Sequence, residues 1–319
     1  MKVLVTGANG FLGQAVLLRL NGMSRVTAIG SVRRTSIFTD SSVSLAMVGE
    51  LSAQTDWSAA LAGVEAIVHT AAHGTHRRSR HDSLAVFRQV NVAGTLRLAR
   101  QAAAMGVRRF VFISSIKVNG EHTMSSKPYT ADDVPAPIDY YGISKYEAEQ
   151  ELLQLAKETK LEVVIIRPVL VYGPGVRGNF RTMMHWLQLG IPLPLGAIHN
   201  QRSLVALDNL VDLIVTCLFH SAGANQIFLV SDGEDFSTTD LLRSTAAALG
   251  RSARLIPVPV SVLWMAARLL RKKDIAQRLC CSLQVDTSKT EAVLGWAPSV
   301  GMDTVLSRTA RNFLANRVR

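Results

Sequence analysis

The chain has few cysteines and no sequence pattern typical of an exported protein. Among 319 residues there are three cysteines, two of them the adjacent Cys280 and Cys281. So few thiols do not predict a disulfide framework, and we infer a reducing, cytoplasmic setting. The first predicted strand begins at residue 3, with no charged and apolar leader before it, so we do not expect secretion.

The sequence also lacks an apolar run of the roughly 20 residues that would span a bilayer. The strongest apolar stretch runs from Leu255 to Leu270, but Pro257 and Pro259 interrupt its start and Arg268 lies near its end. We predict a core or groove-lining helix there, and no membrane span. The basic residues that follow, at 271–273, leave attachment to a membrane surface as the alternative.

Acidic residues are outnumbered by basic ones, and the net charge is +11. Such a balance suits anionic partners of several kinds, but no nucleic-acid-binding motif accompanies it, so we expect no nucleic-acid partner. The basic cluster from His76 to His81 suits phosphate groups or a solvated surface. We predict no metal site, because the spacing of His73, His76 and His81 matches no metal-ligand pattern.

The first 20 residues predict a strand, a glycine turn and a helix. The apolar run Val3-Leu-Val-Thr6 precedes Gly7-Ala-Asn-Gly10-Phe-Leu-Gly13 and then an amphipathic stretch. Glycine permits the tight turn and the close approach of backbone to a pyrophosphate, and a helix N-terminus attracts the anion. We therefore predict a dinucleotide-binding loop made by Gly7, Gly10, Phe11, Leu12 and Gly13.

A second motif, Asp139-Tyr-Tyr-Gly-Ile-Ser-Lys145, places Tyr141 and Lys145 four residues apart at the start of a predicted helix. That spacing puts both side chains on one face. A phenol with an ordinary pKa of about 10 is a poor acid or base at neutral pH, and a neighbouring ammonium stabilises its anion. A lone Tyr-x-x-x-Lys pair also occurs on ordinary exposed helices, so the rest of the sequence must decide.

Together these motifs resemble the extended short-chain dehydrogenase/reductase superfamily and its NAD-dependent epimerase/dehydratase family. The resemblance runs over nearly the whole chain. Its further markers occur in family order: Val68-His-Thr-Ala-Ala72, Asn91-Val-Ala-Gly-Thr95, Phe110-Val-Phe-Ile-Ser-Ser115, Arg167-Pro-Val-Leu-Val-Tyr-Gly-Pro-Gly175, the segment from Gln201 to Leu210, and the segment from Asp286 to Trp296.

Alternating strands and helices predict a parallel sheet covered on both faces, an α/β Rossmann-like doubly wound fold. We predict strands near residues 2–6, 26–30, 65–69, 109–114 and 162–166. Residues 1–166 then form the dinucleotide-binding domain, to which 200–235 return. The resemblance implies that 167–199 and 236–319 form a smaller, mixed sugar-nucleotide-binding lobe. The cleft should lie beyond the carboxyl ends of the strands.

The resemblance also implies the catalytic roles. Ser115 would hydrogen-bond the reacting sugar oxygen, Tyr141 would transfer a proton, and Lys145 would bind the nicotinamide ribose and lower the pKa of the tyrosine. Cofactor contacts are implied at Ala71, Ala72 and Pro168, whereas His69 is expected to support the cofactor loop structurally.

Three further residues match family positions near the nucleotide diphosphate of the substrate. They are Asn179, Arg202 and Arg278, and a guanidinium group suits phosphate oxygens well. Leu170 stands where many epimerases have asparagine, which removes a polar contact to the sugar.

Two departures from the family pattern bear on the reaction. Ile116 and Lys117 replace the Asp-Glu pair of the dehydratases, so dehydration is not expected. The end of the second strand carries Arg33 and Arg34 without the carboxylate typical of NAD-preferring relatives. These arginines suit a 2′-phosphate, so NADP(H) is favoured and NAD(H) is the alternative.

The resemblance extends to bacterial O-antigen enzymes. It favours NADPH-dependent C4 reduction of a UDP-4-keto-6-deoxy-N-acetylhexosamine, giving UDP-N-acetylquinovosamine or UDP-N-acetylfucosamine. The alternative is a 4-epimerase acting on UDP-glucose or UDP-N-acetylglucosamine, and a non-catalytic cofactor-binding protein is a third reading. We also expect a homodimer formed through the helices at 85–105 and 139–158, as is common among relatives.

Overall fold

A computed structural model of the protein describes residues 1–34, 43–74, 83–124 and 127–316. The basic cluster from His76 to His81 therefore lies outside the described residues. Within the described ranges the strands are β1 (Lys2–Thr6), β2 (Thr27–Val32), β3 (Ser44–Met47), β4 (Ala66–His69), β5 (Arg109–Ile113), β6 (Glu162–Pro168), β7 (Leu170–Tyr172), β8 (Arg202–Ala206), β9 (Gln226–Val230) and β10 (Asp235–Phe236).

The helices alternate with the strands over the first half of the chain and predominate after β10. They are α1 (Phe11–Asn21), α2 (Ser58–Leu61), α3 (Leu84–Phe87), α4 (Thr95–Ala104), α5 (Tyr140–Glu158), α6 (Gly178–Gln188), α7 (Leu207–Phe219), α8 (Thr238–Ala248), α9 (Val260–Leu269), α10 (Lys273–Cys280), α11 (Ser288–Leu294) and α12 (Met302–Ala315).

Seven parallel strands form the large sheet in the order β3-β2-β1-β4-β5-β6-β9. The doubly wound α/β prediction is confirmed, and the five predicted strands correspond to β1, β2, β4, β5 and β6. The order reverses between β1 and β4, and ligands of doubly wound folds bind at such a point. Strand β3 was not predicted; it has only four residues and lies at the edge of the sheet, where most of them are exposed.

Both faces of the large sheet are covered, as the continuous apolar strands predict. Successive side chains of a strand point to opposite faces. Val3 and Val5 of β1 accordingly pack in the core beneath α1 and α7, and Leu4 packs in the core beneath α4 and α5. All three are fully buried, so the sheet is a rigid base for the loops at its carboxyl edge.

The smaller lobe contains the sheet β10-β8-β7, in which β7 and β8 are parallel and β8 and β10 antiparallel. A separate core lies between this sheet and α6, α8 and α12, and includes Tyr172, Phe180, Leu242 and Leu306. Helix α7 and strand β9 return to the large sheet. A smaller mixed lobe beside the parallel sheet is therefore present, as predicted.

Helix α9 differs from its prediction. It covers most of the apolar stretch, but only Ala267 is buried and several large apolar side chains are exposed. Of the two alternatives predicted, a core helix is wrong and a groove-lining helix stays a prediction, because the apolar composition of a segment does not show whether another element covers it. Within the described ranges, no helix combines the length and apolarity required to cross a bilayer.

Candidate active site

The turn between β1 and α1 forms a cradle of bare backbone. Gly7 adopts a positive φ of 67°, and the Gly10 amide donates a hydrogen bond of 2.8 Å to the Gly7 carbonyl. A Cβ atom on Gly13 would lie 2.2 Å from that carbonyl oxygen, so only glycine fits there. Helix α1 begins without a side-chain cap and has no acidic residue in its first turn. This geometry fits a pyrophosphate held by backbone amides.

The loop after β4 lies against this cradle. The Ala71 amide donates to the Thr6 hydroxyl at 3.2 Å, and the Thr70 hydroxyl donates to the Thr6 carbonyl at 2.6 Å. Ala71 and Ala72 thus follow β4 beside Gly7, where their backbone is available to a cofactor.

His69 has the structural role that was expected. Its Nδ1 lies 2.7 Å from the Thr6 hydroxyl and its Nε2 lies 2.9 Å from the Thr95 hydroxyl, so the ring joins β1, β4 and α4. Full burial, aided by the charge of Lys145, lowers the pKa of His69 to about 3. The ring is therefore neutral at physiological pH and cannot act as a titrating base.

Asn91 connects the cofactor loop to α5, a role that the sequence analysis did not predict. It lies in a π-helical segment, Arg88–Gly94, between α3 and α4. Its amide group accepts from the His73 amide at 2.7 Å, and donates to the His73 carbonyl at 3.1 Å and to the Ser144 hydroxyl at 2.9 Å. An asparagine flanked by valines in a helical segment was the available signal. π-helical turns often occur at functional sites.

The segment after β5 brings Ser115 to the start of α5. Ser115 caps a short 3₁₀ helix, Ile116–Val118, and its hydroxyl accepts from the Lys117 amide at 3.2 Å. This turn packs against α5 so closely that a Cβ atom on Gly142 would lie 2.8 Å from the Lys117 carbonyl oxygen. Ser115 is partly exposed, whereas Ser114 before it is buried.

Tyr141 and Lys145 lie on one face of α5, as their spacing predicts. Asp139 caps the helix by accepting from the Gly142 amide at 2.7 Å. The Lys145 Nζ atom lies 5.9 Å from the centre of the Tyr141 ring and 4.4 Å from the centre of the Phe112 ring. The structure therefore brings a phenol and an ammonium together at the carboxyl end of β5.

The pKa of Tyr141 is not lowered as its neighbour predicted. Burial, followed by the negative charge of Asp139, raises the pKa of Tyr141 to about 12. Burial lowers the pKa of Lys145 to about 7, against the opposing charge of Glu149. The Lys145 ammonium donates a hydrogen bond of 2.8 Å to the Ile113 carbonyl. Desolvation of the phenol therefore outweighs the attraction expected from the ammonium.

Beneath Lys145 lies a buried ion pair that sequence analysis did not assign to the site. Glu149 follows Lys145 by one turn of α5 and binds Arg167 at the end of β6, with Nη2 and Oε2 2.5 Å apart. The Ser114 hydroxyl also donates to Glu149, and Arg167 donates to Asn119 at 3.0 Å. These contacts join β5, β6 and α5 directly behind Ser115 and Lys145.

Lys117, at a position where dehydratases have a carboxylate, contacts two acidic residues. Its ammonium donates to Asp139 and, at 3.2 Å, to Glu121. The lysine therefore stabilises the capped start of α5 rather than supplying an acid and base for elimination.

The residues predicted to contact the substrate phosphates lie on three separate elements, α6, β8 and α10. Arg202 begins β8 and donates to the Cys281 carbonyl at 3.0 Å. Burial lowers the pKa of Arg202, and the nearby charge of Arg278 on α10 lowers it further. Arg278 is exposed, and Asn179 is exposed in the first turn of α6. The two arginines thus form one positive site, whereas no contact joins Asn179 to them among the described residues.

The remaining predicted residues have different surroundings. Arg33 and Arg34 are exposed just beyond β2, and Arg33 pairs with Glu50 at 3.3 Å. Pro168 is buried at the end of β6, and Leu170 on β7 is 45% exposed. Two arginines therefore follow β2 where NAD-preferring relatives have a carboxylate, but Arg33 already contacts an acidic residue.

Comparison with known proteins identifies the family of the chain. The family model described as the NAD dependent epimerase/dehydratase family matches residues 3–231. A Vibrio cholerae protein named UDP-glucose 4-epimerase is 45% identical over 315 residues, which cover 98% of this chain and 95% of that protein. An Escherichia coli O157:H7 protein named N-acetyl-alpha-D-glucosaminyl-diphospho-ditrans,octacis-undecaprenol 4-epimerase is 25% identical, with 96% of this chain and 94% of that protein covered.

A solved structure supports the fold independently. The UDP-glucuronic acid 4-epimerase from Bacillus cereus, in complex with UDP-glucuronic acid and NAD, superposes with a TM-score of 0.80. The superposition covers 99% of this chain and 100% of that chain at 21% identity. Fold, glycine cradle and family match agree, and the chain belongs to the NAD-dependent epimerase/dehydratase family of extended short-chain dehydrogenases/reductases.

Proposed function

We propose that the protein is an NAD-dependent UDP-sugar 4-epimerase, the alternative raised by the sequence. The observation that carries this proposal is the 45% identity to the Vibrio cholerae protein named UDP-glucose 4-epimerase, along almost the full length of both chains. The triad Ser115, Tyr141 and Lys145 is intact, which favours an enzyme over a non-catalytic cofactor-binding protein.

Epimerisation at C4 requires removal of a proton and a hydride, followed by their return. A bound nicotinamide cofactor supplies the hydride acceptor and donor and, in its oxidised form, a positive charge. In our proposal Tyr141 accepts the proton of the C4 hydroxyl while the C4–H bond breaks, and it later returns that proton to the 4-keto oxygen. Ser115 donates a hydrogen bond to the same oxygen. The sugar ends neither oxidised nor reduced.

The raised pKa of Tyr141 constrains this proposal. A phenol with a pKa of about 12 is a competent proton donor at neutral pH but a weak acceptor. The first half-reaction therefore needs additional positive charge near Tyr141, which in our proposal the oxidised cofactor would supply. We infer that the base form of Tyr141 becomes accessible only when the cofactor is bound.

We assign the diphosphate of the UDP-sugar to Arg202 and Arg278. Within the described ranges neither arginine forms an ion pair with an acidic side chain, and a diphosphate would bind both. Asn179 and the segments 167–199 and 236–319 would complete the sugar-nucleotide lobe.

Reduction of a UDP-4-keto-6-deoxy-N-acetylhexosamine, as in O-antigen synthesis, is the second candidate. Arg33 and Arg34 favour it, because they suit the 2′-phosphate of NADPH, and a reductase must exchange spent cofactor for fresh NADPH. The pairing of Arg33 with Glu50 weakens this argument, since the carboxylate offsets the charge that would attract the phosphate.

A lipid-linked donor is a further substrate class for the epimerase. The Escherichia coli relative is named for a sugar joined through a diphosphate to undecaprenol. Here the exposed apolar helix α9 immediately precedes α10, which carries Arg278. A diphosphate bound by Arg278 would therefore place an attached lipid near an apolar surface.

The test is product analysis with purified protein. UDP-glucose and UDP-N-acetylglucosamine are each incubated with NAD, and the UDP-4-keto-6-deoxy sugar is incubated with NADPH or NADH. We expect C4 epimers without net cofactor consumption, and NAD released from the denatured protein. Stoichiometric NADPH oxidation with a reduced C4 would instead establish the reductase. Tyr141→Phe should abolish turnover with less than a threefold change in cofactor affinity, and unchanged turnover would remove Tyr141 from the mechanism.

The assembly that we propose is a cytoplasmic homodimer. Cys217, Cys280 and Cys281 are free thiols, which suits a reducing compartment. A groove of about 670 Å³ lies between α3–α4 and α5, and the ion pair of Arg88 with Glu147 crosses it. These are the helices expected to pair. Light scattering after gel filtration would measure the mass directly, and a monomer would contradict the proposal.

A further inference from the structure

Helix α9 is mostly apolar, yet much of it faces solvent. Of its ten residues only Ser261 and Arg268 are polar, and their spacing of seven residues places both on one side. Ala267 is buried and Leu263 packs against the core of the smaller lobe, whereas Leu269 is 85% exposed. Several large apolar side chains that remain uncovered together indicate an interaction surface.

The exposed apolar side chains form a continuous set. Helical spacing places Val262, Met265, Ala266 and Leu269 on one side of α9, opposite Ala267. Leu270, which is 67% exposed, and Ile275 at the start of α10, which is 50% exposed, follow directly along the chain. We name these residues the α9 surface: Val262, Met265, Ala266, Leu269, Leu270 and Ile275.

Positive charge accompanies the α9 surface. Arg268, Arg271, Lys272 and Lys273 are all exposed within or directly after α9. From residue 241 to residue 285 the sequence contains one acidic residue, Asp274, which directly follows these cations. The segment therefore combines a one-sided apolar face with a net positive charge, a pattern typical of helices that lie in the interface of an anionic membrane.

The backbone after α9 holds one of these cations in a left-handed conformation at the end of the helix. Arg271 adopts a positive φ of 54°, and the Lys272 amide donates a hydrogen bond of 2.7 Å to the Ala267 carbonyl. Glycine is the usual residue in that conformation.

We propose that the α9 surface docks the protein onto an anionic phospholipid bilayer. The apolar side chains would enter the boundary between headgroups and acyl chains, and the four cations would contact the headgroups. Each cation near an anionic surface adds to the attraction, which is screened by salt. The cytoplasmic leaflet carries such anionic lipids.

A second copy of the chain fits this surface less well. A two-fold symmetric contact brings the same surface of both subunits together. Arg268, Arg271, Lys272 and Lys273 would then face their own counterparts, and like charges juxtaposed in an interface are strongly unfavourable. Charge complementarity therefore selects an anionic partner over self-association.

The docked surface borders the proposed phosphate site, because α10 carries Arg278, whose charge influences Arg202. Docking would bring this side of the cleft close to the bilayer. The α9 surface is defined by its exposure and charge alone, so docking does not depend on which reaction the protein catalyses.

Flotation of the full chain with vesicles tests the proposal. One vesicle population contains phosphatidylcholine alone, and the other contains phosphatidylcholine with about one third phosphatidylglycerol. We expect the protein to float with the anionic vesicles at low salt, at least tenfold more than with the neutral ones, and to be released as salt rises. Absence of binding to anionic vesicles at low salt would overturn the proposal.

Two sets of variants locate the contact. Met265→Ser combined with Leu269→Ser removes apolar area, and Arg271→Gly combined with Lys272→Gln and Lys273→Gln removes charge. Each should reduce the vesicle-bound fraction at least tenfold. Thermal unfolding of each variant checks that it is folded.

Matched control substitutions lie near the amino ends of strands in the large sheet. Arg25→Gln, Arg108→Gln and Lys160→Gln change three exposed cations that precede β2, β5 and β6, and Met105→Ser with Phe219→Ser removes exposed apolar groups. These variants should float like the wild type. Undiminished binding of the α9 variants, or an equal loss in the controls, would show that another surface binds lipid. A lower molecular mass of the α9 variants in light scattering would show that a second copy covers the surface, and it would overturn the proposal as well.

Discussion

The Glu149 carboxylate and the Arg167 guanidinium form an ion pair that is fully enclosed behind the candidate catalytic residues. Their side chains are 0% and 1% exposed, and Nη2 lies 2.5 Å from Oε2. Glu149 also accepts from the Ser114 hydroxyl, one residue before Ser115, and its charge raises the pKa of Lys145. A single carboxylate therefore influences both the position of Ser115 and the charge of Lys145.

We expect Glu149→Gln to be severely destabilising. Arg167 would be left as a buried charge without its carboxylate, and breaking a buried pair typically costs about 3–5 kcal/mol in the free energy of unfolding. The combined change Glu149→Leu and Arg167→Met removes both charges and should recover most of that loss. Urea unfolding of the wild type, of Glu149→Gln and of the double variant measures these differences in the free energy of unfolding.

An exposed ion pair provides the control for this comparison. Arg243 and Asp240 are both more than half exposed and lie 3.2 Å apart on α8. Arg243→Gln should change the free energy of unfolding by less than about 1 kcal/mol. If Glu149→Gln were equally mild, the buried pair would not hold β6 against α5 as we infer.

Asp139→Asn should lower the pKa of Tyr141. Asp139 is the second cause, after burial, of the raised pKa of the phenol, and asparagine keeps the helix cap while removing the charge. Phenolate absorbance measured against pH, with the matching Tyr141→Phe protein subtracted, isolates this one tyrosine. Glu121→Gln removes the other acidic partner of Lys117 and serves as the control. Identical titration of Asp139→Asn and the wild type would contradict the stated cause.

The sequence predicted what is encoded locally. Apolar runs alternating with helical stretches identified β1, β2, β4, β5 and β6, and the four-residue spacing of Tyr141 and Lys145 placed both on one face of α5. These predictions succeed because strand and helix periodicity depends on neighbours along the chain.

What the sequence missed depends on contacts between distant segments. The partners of Glu149 and Asn91 lie 18 or more residues away, so no local pattern pairs them. The pKa of Tyr141 depends on how completely the fold desolvates the phenol, and the motif suggested the opposite direction. The exposure of α9 depends on how distant segments pack around it, which no local sequence pattern reveals.

Gly13→Ala should prevent cofactor binding. The added Cβ atom would lie 2.2 Å from the Gly7 carbonyl oxygen and 2.8 Å from its carbon, so the β1–α1 turn would have to move. We expect affinity for NAD and NADP to fall at least tenfold in calorimetric titration, with a loss of about 1–3 kcal/mol in unfolding free energy.

The matched glycine is Gly301, which has an ordinary φ of −75° and no atom within 4 Å of an added Cβ. Gly301→Ala should leave cofactor affinity unchanged. Normal affinity in Gly13→Ala would mean that the cofactor does not use the backbone cradle between β1 and α1.

Lys145→Met should flatten the dependence of stability on pH. In the folded protein burial lowers the pKa of Lys145 from 10.5 to about 7. Between these two values the unfolded chain holds more protons than the folded one, so the contribution of Lys145 to unfolding free energy rises with pH across this window. It is lost as the pH falls to 7, where the folded lysine also becomes protonated. Urea unfolding at pH 7, 8 and 9 measures the effect.

The difference in stability between the wild type and Lys145→Met should therefore grow with pH, by up to about 1.4 kcal/mol per unit. Other titrating groups occur in both proteins and largely cancel in that difference. Lys160→Met, which removes an exposed lysine, should show a constant difference from the wild type. A constant difference for Lys145→Met would mean that the ammonium remains charged throughout this range. Lys145 could then stabilise the phenolate of Tyr141 without the cofactor, contrary to the mechanism that we propose.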